Sequence, residues 1–195
     1  MEQAEAADND QVASIALIGM PGSGKSTVGR HVARHLGLPL IDSDHVIEQR
    51  IGCSIRDYFE TQGEPAFRDI EQAVIDEVSR VRGHVVATGG GAVLRAANRQ
   101  ALRDRTTVVY LRATPEDLAR RMRHDSRRPL LQGDSDPLRR LRTLFHERDP
   151  LYREVAHFVV ETGRPSVHSL VNMVLMQLEL AGVVPLPSDS QAPRP

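Results

Sequence analysis

The sequence contains no tryptophan, one cysteine and one lysine. Aromatic residues make up only 4% of it, too few for the stacking platforms on which single-stranded nucleic acid is held. The formal net charge of -1 likewise argues against a dedicated binder of nucleic acid or another polyanion. Cys53, alone, excludes an internal disulfide and a cysteine-based metal cluster, and is expected to be a small packing residue. No apolar run approaches the ~20 residues that a membrane-spanning helix needs. The opening MEQAEAADNDQ is acidic and lacks both the cationic start and the apolar stretch of a secretory signal. These absences lead to the expectation of a cytoplasmic protein with no nucleic-acid or membrane partner, and of a monomer.

The shortage of lysine is a positive signal. Lysine and arginine together number 25, and every one except Lys25 is arginine. An ammonium is a compact point charge on a flexible stem, whereas a guanidinium is a planar fork. The one position that keeps an ammonium therefore marks a chemical requirement.

What is present reads as an alternation of short apolar runs with longer amphipathic stretches. Strands are expected at Val12–Ile18, Leu38–Ile41, His84–Ala87, Thr107–Leu111 and His157–Val160. Helical spacing covers Thr27–Leu36, Val46–Arg50, Ile55–Thr61, Ala66–Val81, Pro115 to about His124, Pro137–His146 and Val167–Leu180. Five short buried strands separated by helices predict an α/β fold with a mainly parallel sheet. Residues 12–183 are expected to form a single domain. The stretches 1–11 and 184–195, the second rich in Pro and Ser, are expected to be flexible tails.

The run Gly19-Met-Pro-Gly-Ser-Gly-Lys25-Ser26 matches G-x-x-x-x-G-K-[ST] at every fixed position, between an apolar strand and a helical pattern. Backbone N–H groups of Gly22, Ser23, Gly24, Lys25, Ser26 and Thr27 can converge on phosphate oxygens. The helix that follows directs its positive end at the same anion. Lys25 can reach the β- and γ-phosphates, and the Ser26 hydroxyl can coordinate Mg²⁺. ATP and Mg²⁺ are the expected cofactors, although a P-loop alone does not separate kinases from GTPases, motor ATPases or regulators. The absence of an N-K-x-D guanine signature disfavours a GTPase.

Two further clusters fall at strand ends, where open parallel sheets place ligands. Asp42-Ser43-Asp44 offers one carboxylate for Mg²⁺ and another for an acceptor hydroxyl, and an Asp there also suits a helix N-cap. Thr88-Gly89-Gly90-Gly91 is costly in backbone entropy, which close approach of a ligand or a tight turn would explain. Arg68 has Glu71 three residues later, as an exposed ion pair would. The segment RRPLLQGDSDP, flanked by further arginines, has the cationic character of a phosphate-closing lid at about residues 125–137.

Taken in order, GMPGSGKST, LIDSDHVIEQRIGCSI, FRDIE, TGGGAV, RRPLL and ERDPLYREVA resemble the shikimate kinases over roughly residues 12–181. The resemblance implies a nucleoside-monophosphate-kinase-like α/β fold, a three-layer P-loop kinase fold with a five-stranded parallel sheet flanked by helices, and the reaction of ATP with shikimate to give ADP and shikimate 3-phosphate, in the route to chorismate and the aromatic amino acids. It implies that Asp42 supports Mg²⁺, that Asp44 binds the shikimate hydroxyls, and that Arg68 and Arg148 grip its carboxylate beside Gly89, Gly90 and Gly91. It assigns Arg128 to the lid, where it meets the ATP phosphates, and Arg121 to the nucleotide. Arg164, in Glu-Thr-Gly-Arg-Pro, approximates the family's adenine-side segment. Lys25, Asp44 and Arg128 are the expected catalytic residues, with Asp44 either accepting the hydroxyl proton or only positioning the substrate. Alternatives from the residues alone are another P-loop small-molecule kinase, such as a gluconate kinase, and a nucleotide-binding regulator without turnover.

Overall fold

Apolar residues on adjacent strand positions point to opposite faces, so a run that is apolar throughout needs cover on both sides. The computed structural model, which describes residues 13–122, 136–163 and 166–184, supplies that cover. In chain order the elements are β1 (Ile15–Ile18), α1 (Lys25–Leu36), β2 (Leu40–Asp42), α2 (Ser43–Ile51), α3 (Ile55–Arg80) and β3 (Val85–Ala87). They continue with α4 (Ala96–Arg105), β4 (Thr107–Arg112), α5 (Pro115–Met122), α6 (Pro137–Val155), β5 (Phe158–Glu161) and α7 (Val167–Leu180). The strands form one parallel sheet in the order β2-β3-β1-β4-β5.

The period-2 alternation divides the core cleanly. Ala16, Ile18, Val86, Val108 and Tyr110 pack with Ile47, Phe67, Val74, Leu102, Leu118 and Tyr152 from α2 to α6. Ile15, Leu17, Val85, Val109, Leu111 and Val160 pack with Val28, Val32, Leu170, Val174 and Leu178 from α1 and α7. Truncating one of these large aliphatic side chains to alanine would cost about 2–5 kcal/mol, through lost transfer energy and the cavity left behind. Val184 is also buried in the second of these clusters, one residue past the expected end of the domain.

Central strand β1 has β3 on one side and β4 on the other. The chain therefore leaves the sheet at three neighbouring carboxyl ends, and the loops that follow β1, β3 and β4 border one crevice. The sequence motifs at residues 19–26 and 88–91 both open onto it.

Four features depart from the sequence reading. The helix α4 was not anticipated, because only Asn98, Ala101 and Leu102 are buried along it, too few to set an apolar stripe. Helix α6 runs past His146 and through Pro150 to Val155, although proline in a helix interior removes a donor and crowds the preceding turn. That extension carries Arg148. Cys53 is exposed rather than packed, since Gly52 ends α2 in a left-handed turn and the chain runs out before Ser54 caps α3. The two helical stretches expected at 55–61 and 66–81 are joined in α3, with Gly63 at φ 81 and ψ 170 marking the break between them.

Candidate active site

The phosphate loop is held open by one glycine above all. Gly24 sits at φ 97 as the N-cap of α1, donates no side-chain cap, and no acidic residue follows in the first turn. Helices α2, α3, α6 and α7 are capped instead by Asp42, Ser54, Asp136 and Ser166. No side chain competes for the positive end of α1, the arrangement that suits a bound anion. Lys25 is 8% exposed, and its Nζ donates to the carbonyls of Gly19 and Met20, each at 2.9 Å. The lone ammonium thus lies folded along the loop.

The end of β2 meets this loop through two carboxylates with separate duties. Asp42 Oδ2 accepts from Ser26 Oγ at 2.8 Å, and its Oδ1 accepts from the Asp44 backbone N–H at 3.1 Å. Asp42 is therefore the N-cap of α2, a duty the sequence allowed equally to Asp44. Relieved of capping, Asp44 turns toward the loop after β3. Burial first, and the neighbouring Asp42 second, raise its carboxyl to about 6, while Lys25 pulls in the opposite direction.

The glycine run is explained by what touches it. A Cβ on Gly89 would come within 2.5 Å of Asp44 Oδ1, and one on Gly90 within 2.6 Å of the Pro21 ring. A Cβ on Gly91 would strike the Arg68 guanidinium, with Nη2 at 2.7 Å. Three successive residues are thus approached by three different side chains, one each from α2, the phosphate loop and α3. The run is fixed from below, since Thr88 Oγ1 donates to Leu17 O at 3.0 Å and Gly89 N donates to Ser43 Oγ at 3.0 Å.

Arg68 does pair with Glu71, but not on the surface. The Nη1–Oε2 distance is 2.7 Å, with Arg68 12% and Glu71 2% exposed at the side chain. Arg68 Nε and Nη2 also donate to Glu64 Oε1. Burial lifts the Glu71 carboxyl above its ordinary value, and Arg68 counters the shift. These three bonds leave two of a guanidinium's five N–H donors for another acceptor. Arg148, from α6, donates Nη1 to Gly90 O at 3.1 Å. Its Nε is buried with no hydrogen-bond partner among the described residues, which for a cation is costly without an acceptor. Arg68 and Arg148 are thereby brought to adjacent residues of one loop, from positions far apart in sequence.

On the opposite side of the phosphate loop, Arg121 Nη1 reaches Ser23 O at 3.4 Å and Thr162 Oγ1 at 3.4 Å, and Nη2 donates to Thr162 O. Arg121 therefore bridges the phosphate loop and the end of β5. Arg128, with most of the expected lid, and Arg164 lie outside the described residues. Asp136 and Pro137, the end of that segment, form the N-cap and first turn of α6.

A divalent cation would find an all-oxygen donor pair in Ser26 and Asp42, matched to the hard Mg²⁺ ion. Among the described residues no group of three or more His, Cys, Asp or Glu could hold a metal.

A family model described as shikimate kinase matches residues 21–179. The chain belongs to the shikimate kinase family. Curated relatives include the shikimate kinase of Paracidovorax citrulli, 63% identical across 88% of this chain and 95% of that one. Another is the shikimate kinase of Ralstonia nicotianae, 59% identical across 92% and 94%. Among solved structures, the shikimate kinase from Acinetobacter baumannii in complex with shikimate superposes with a TM-score of 0.83 at 43% identity, covering 91% of this chain and 98% of that one. A gluconokinase from Sinorhizobium meliloti reaches a TM-score of 0.55 at 22% identity, over 87% and 93% of the two chains, a likeness of fold alone.

Within this shikimate kinase fold, sequence reasoning missed two contacts of the site. Pro21 was read only as a loop residue, yet it fills the space beside Gly90. An exposed ion pair is one expectation of the Arg68–Glu71 spacing, yet Glu71 is the buried anchor of Arg68. A buried carboxylate three positions from an arginine has the same sequence spacing as an exposed one, so no local signal separates them.

Proposed function

We propose that this chain transfers the γ-phosphoryl group of ATP to the 3-hydroxyl of shikimate, giving ADP and shikimate 3-phosphate, as a monomer in the cytoplasm. The names of its close relatives support the reaction. The observation that carries the reading in this chain is the Gly89–Gly91 run, which Asp44, Arg68 and Arg148 all meet. A small hydroxylated ring with one carboxylate is the complement of that set. Two guanidiniums take the carboxylate, one carboxylate takes hydroxyls, and glycines let the ring lie against the backbone.

The geometry of the described residues supports the following division of labour. The N–H groups at the start of α1 and the Lys25 ammonium receive the phosphates of ATP, neutralising charge on the transferring group. Ser26 and Asp42 hold Mg²⁺, which when bound screens the phosphate oxygens. Arg121 holds the loop against β5 on the nucleotide side, and Arg128 is assigned to the lid from its sequence match. Arg68 and Arg148 hold the carboxylate, so that the ring presents its hydroxyl at a fixed distance and angle. Asp44 accepts the hydroxyl proton. A carboxyl at about 6 is ionised at neutral pH yet basic enough to take a proton as the hydroxyl's acidity rises.

The test is product formation by the purified full chain with Mg²⁺ and ATP, offered shikimate, gluconate or AMP in parallel. ADP should appear in step with shikimate 3-phosphate, and the other two acceptors should give at most a trace. Faster turnover of gluconate or AMP would overturn the substrate assignment, and no turnover with any acceptor would point to the regulator.

A further inference from the structure

Arg148 does not approach Gly90 alone. Tyr152, one turn further along α6, donates its hydroxyl to the same Gly90 carbonyl at 2.5 Å, while Arg148 Nη1 donates at 3.1 Å. Residues four apart share a helix face, so α6 sends two side chains to one acceptor, and a carbonyl oxygen has a lone pair for each. Tyr152 is fully buried, and its ring stacks on Tyr110 with centroids 4.9 Å apart and planes inclined by 27°. Tyr110 in turn donates to Asp149 Oδ1 at 2.8 Å. Asp149 is also held by Arg112 at 3.0 Å and Arg153 at 2.7 Å. The Tyr152 ring is thus clamped by packing, and its hydroxyl also lies in direct hydrogen-bonding contact with Arg148, whose charge opposes the rise in pKa that burial causes.

We propose that Tyr152 is a positioning residue for the substrate carboxylate, acting through the Gly90 carbonyl that it shares with Arg148. Its hydroxyl fixes the direction of that carbonyl, and the carbonyl fixes the rotamer of Arg148. With Nη1 occupied in this way, the buried and unpartnered Nε of Arg148 is left on a defined edge of the guanidinium. Pro21 closes the other side of Gly90, so the peptide is located between α6 and the phosphate loop. Tyr152 touches no reacting atom in this scheme. The inference rests on the shikimate reading of the site.

The experiment compares Tyr152→Phe with Tyr110→Phe in steady-state kinetics and thermal melting. Both changes keep the ring and delete one hydroxyl. Tyr110→Phe loses the bond to Asp149 and not the bond to Gly90. For Tyr152→Phe the expected result is a rise in KM for shikimate of roughly fivefold, the size of one neutral hydrogen bond. Its kcat and KM for ATP should stay within about twofold of wild type. Tyr110→Phe should lower the melting temperature with KM for shikimate unchanged. The Tyr152→Phe effect should also be lost in an Arg148→Met background, because the two act through one carbonyl. Equal KM shifts in the two tyrosine variants, an unchanged KM in Tyr152→Phe, or a Tyr152→Phe that fails to fold where Tyr110→Phe folds would each overturn the role. If the wild-type chain does not phosphorylate shikimate, it is the functional reading that fails. If wild type turns over and Tyr152→Phe matches it, only the positioning role fails.

Discussion

Replacing Asp44 with Asn should make the fold more stable while nearly abolishing turnover. The carboxyl of Asp44 is raised from 3.8 to about 6, first by burial and then by Asp42. The folded state therefore binds a proton more readily than the unfolded state. Stability from this group is full below 3.8 and falls as pH rises toward about 6. Above that, the ionised carboxylate weakens the fold by about 3 kcal/mol, at roughly 1.4 kcal/mol per pKa unit. This is an upper figure, because Lys25 offsets part of the cost of the ionised carboxylate and loses that partner in the variant. Asn keeps the shape and removes the charge. At pH 7.5 the variant should gain up to about 3 kcal/mol, on the order of 6–12 °C in Tm for a domain of this size. At pH 3.5 the two proteins should melt together. Loss of the proton acceptor should lower kcat by about a hundredfold or more. Paired thermal melts at the two pH values, with ADP release measured at pH 7.5, check both halves. An Asn variant no more stable than wild type at pH 7.5, or one whose advantage persists at pH 3.5, would refute the reasoning.

Two further substitutions separate structure from binding. Arg68→Met strands Glu71, which is 2% exposed, and should cost about 3 kcal/mol. Adding Glu71→Gln should restore most of that without restoring shikimate binding, as urea denaturation and titration calorimetry would reveal; an Arg68→Met protein as stable as wild type would remove Glu71 from the site. Gly90→Ala drives a Cβ to within 2.6 Å of Pro21 and should cost about 1–3 kcal/mol by overpacking. Because Pro21 belongs to the phosphate loop, KM for ATP and for shikimate should both rise, and kinetics indistinguishable from wild type would show that the contact relaxes freely.

Much of this arrangement could be read from local sequence because its chemistry is local. The phosphate loop needs glycines, one ammonium and a hydroxyl in a fixed order, and Lys25 was conspicuous among arginines. Strand positions were set by apolar runs that must be covered on both faces, which is why β1, β3, β4 and β5 fall close to their expected places. Other elements depend on partners distant in the chain. Helix α4 buries little surface and has no stripe to display. The second half of α6 continues through Pro150 because Tyr152 and Val155 are buried in the core, an energy that no propensity scale contains. Asp42 and Asp44 are alike in sequence, and only the Ser26 hydroxyl and the buried loop after β3 distinguish their duties. The meaning of Gly89, Gly90 and Gly91 was visible as a need for close approach. What approaches them proved to be three side chains of the protein itself.

The measurement that bears most directly on the carboxylate grip is shikimate affinity by titration calorimetry at fixed salt, comparing Arg148→Met with Arg120→Met. Arg148 lies half-buried on Gly90, with its Nε lacking a partner among the described residues. Arg120 is 58% exposed and pairs with Asp117 on its own helix, where an ion pair contributes little. Loss of a buried partner for the substrate carboxylate should cost about 2–5 kcal/mol, or roughly 30-fold or more in Kd. Arg120→Met should change Kd by no more than about twofold. Equal, small losses in both variants would mean that the arginines act only as a diffuse positive field, and would contradict a site built around Gly89–Gly91 to hold the carboxylate of shikimate.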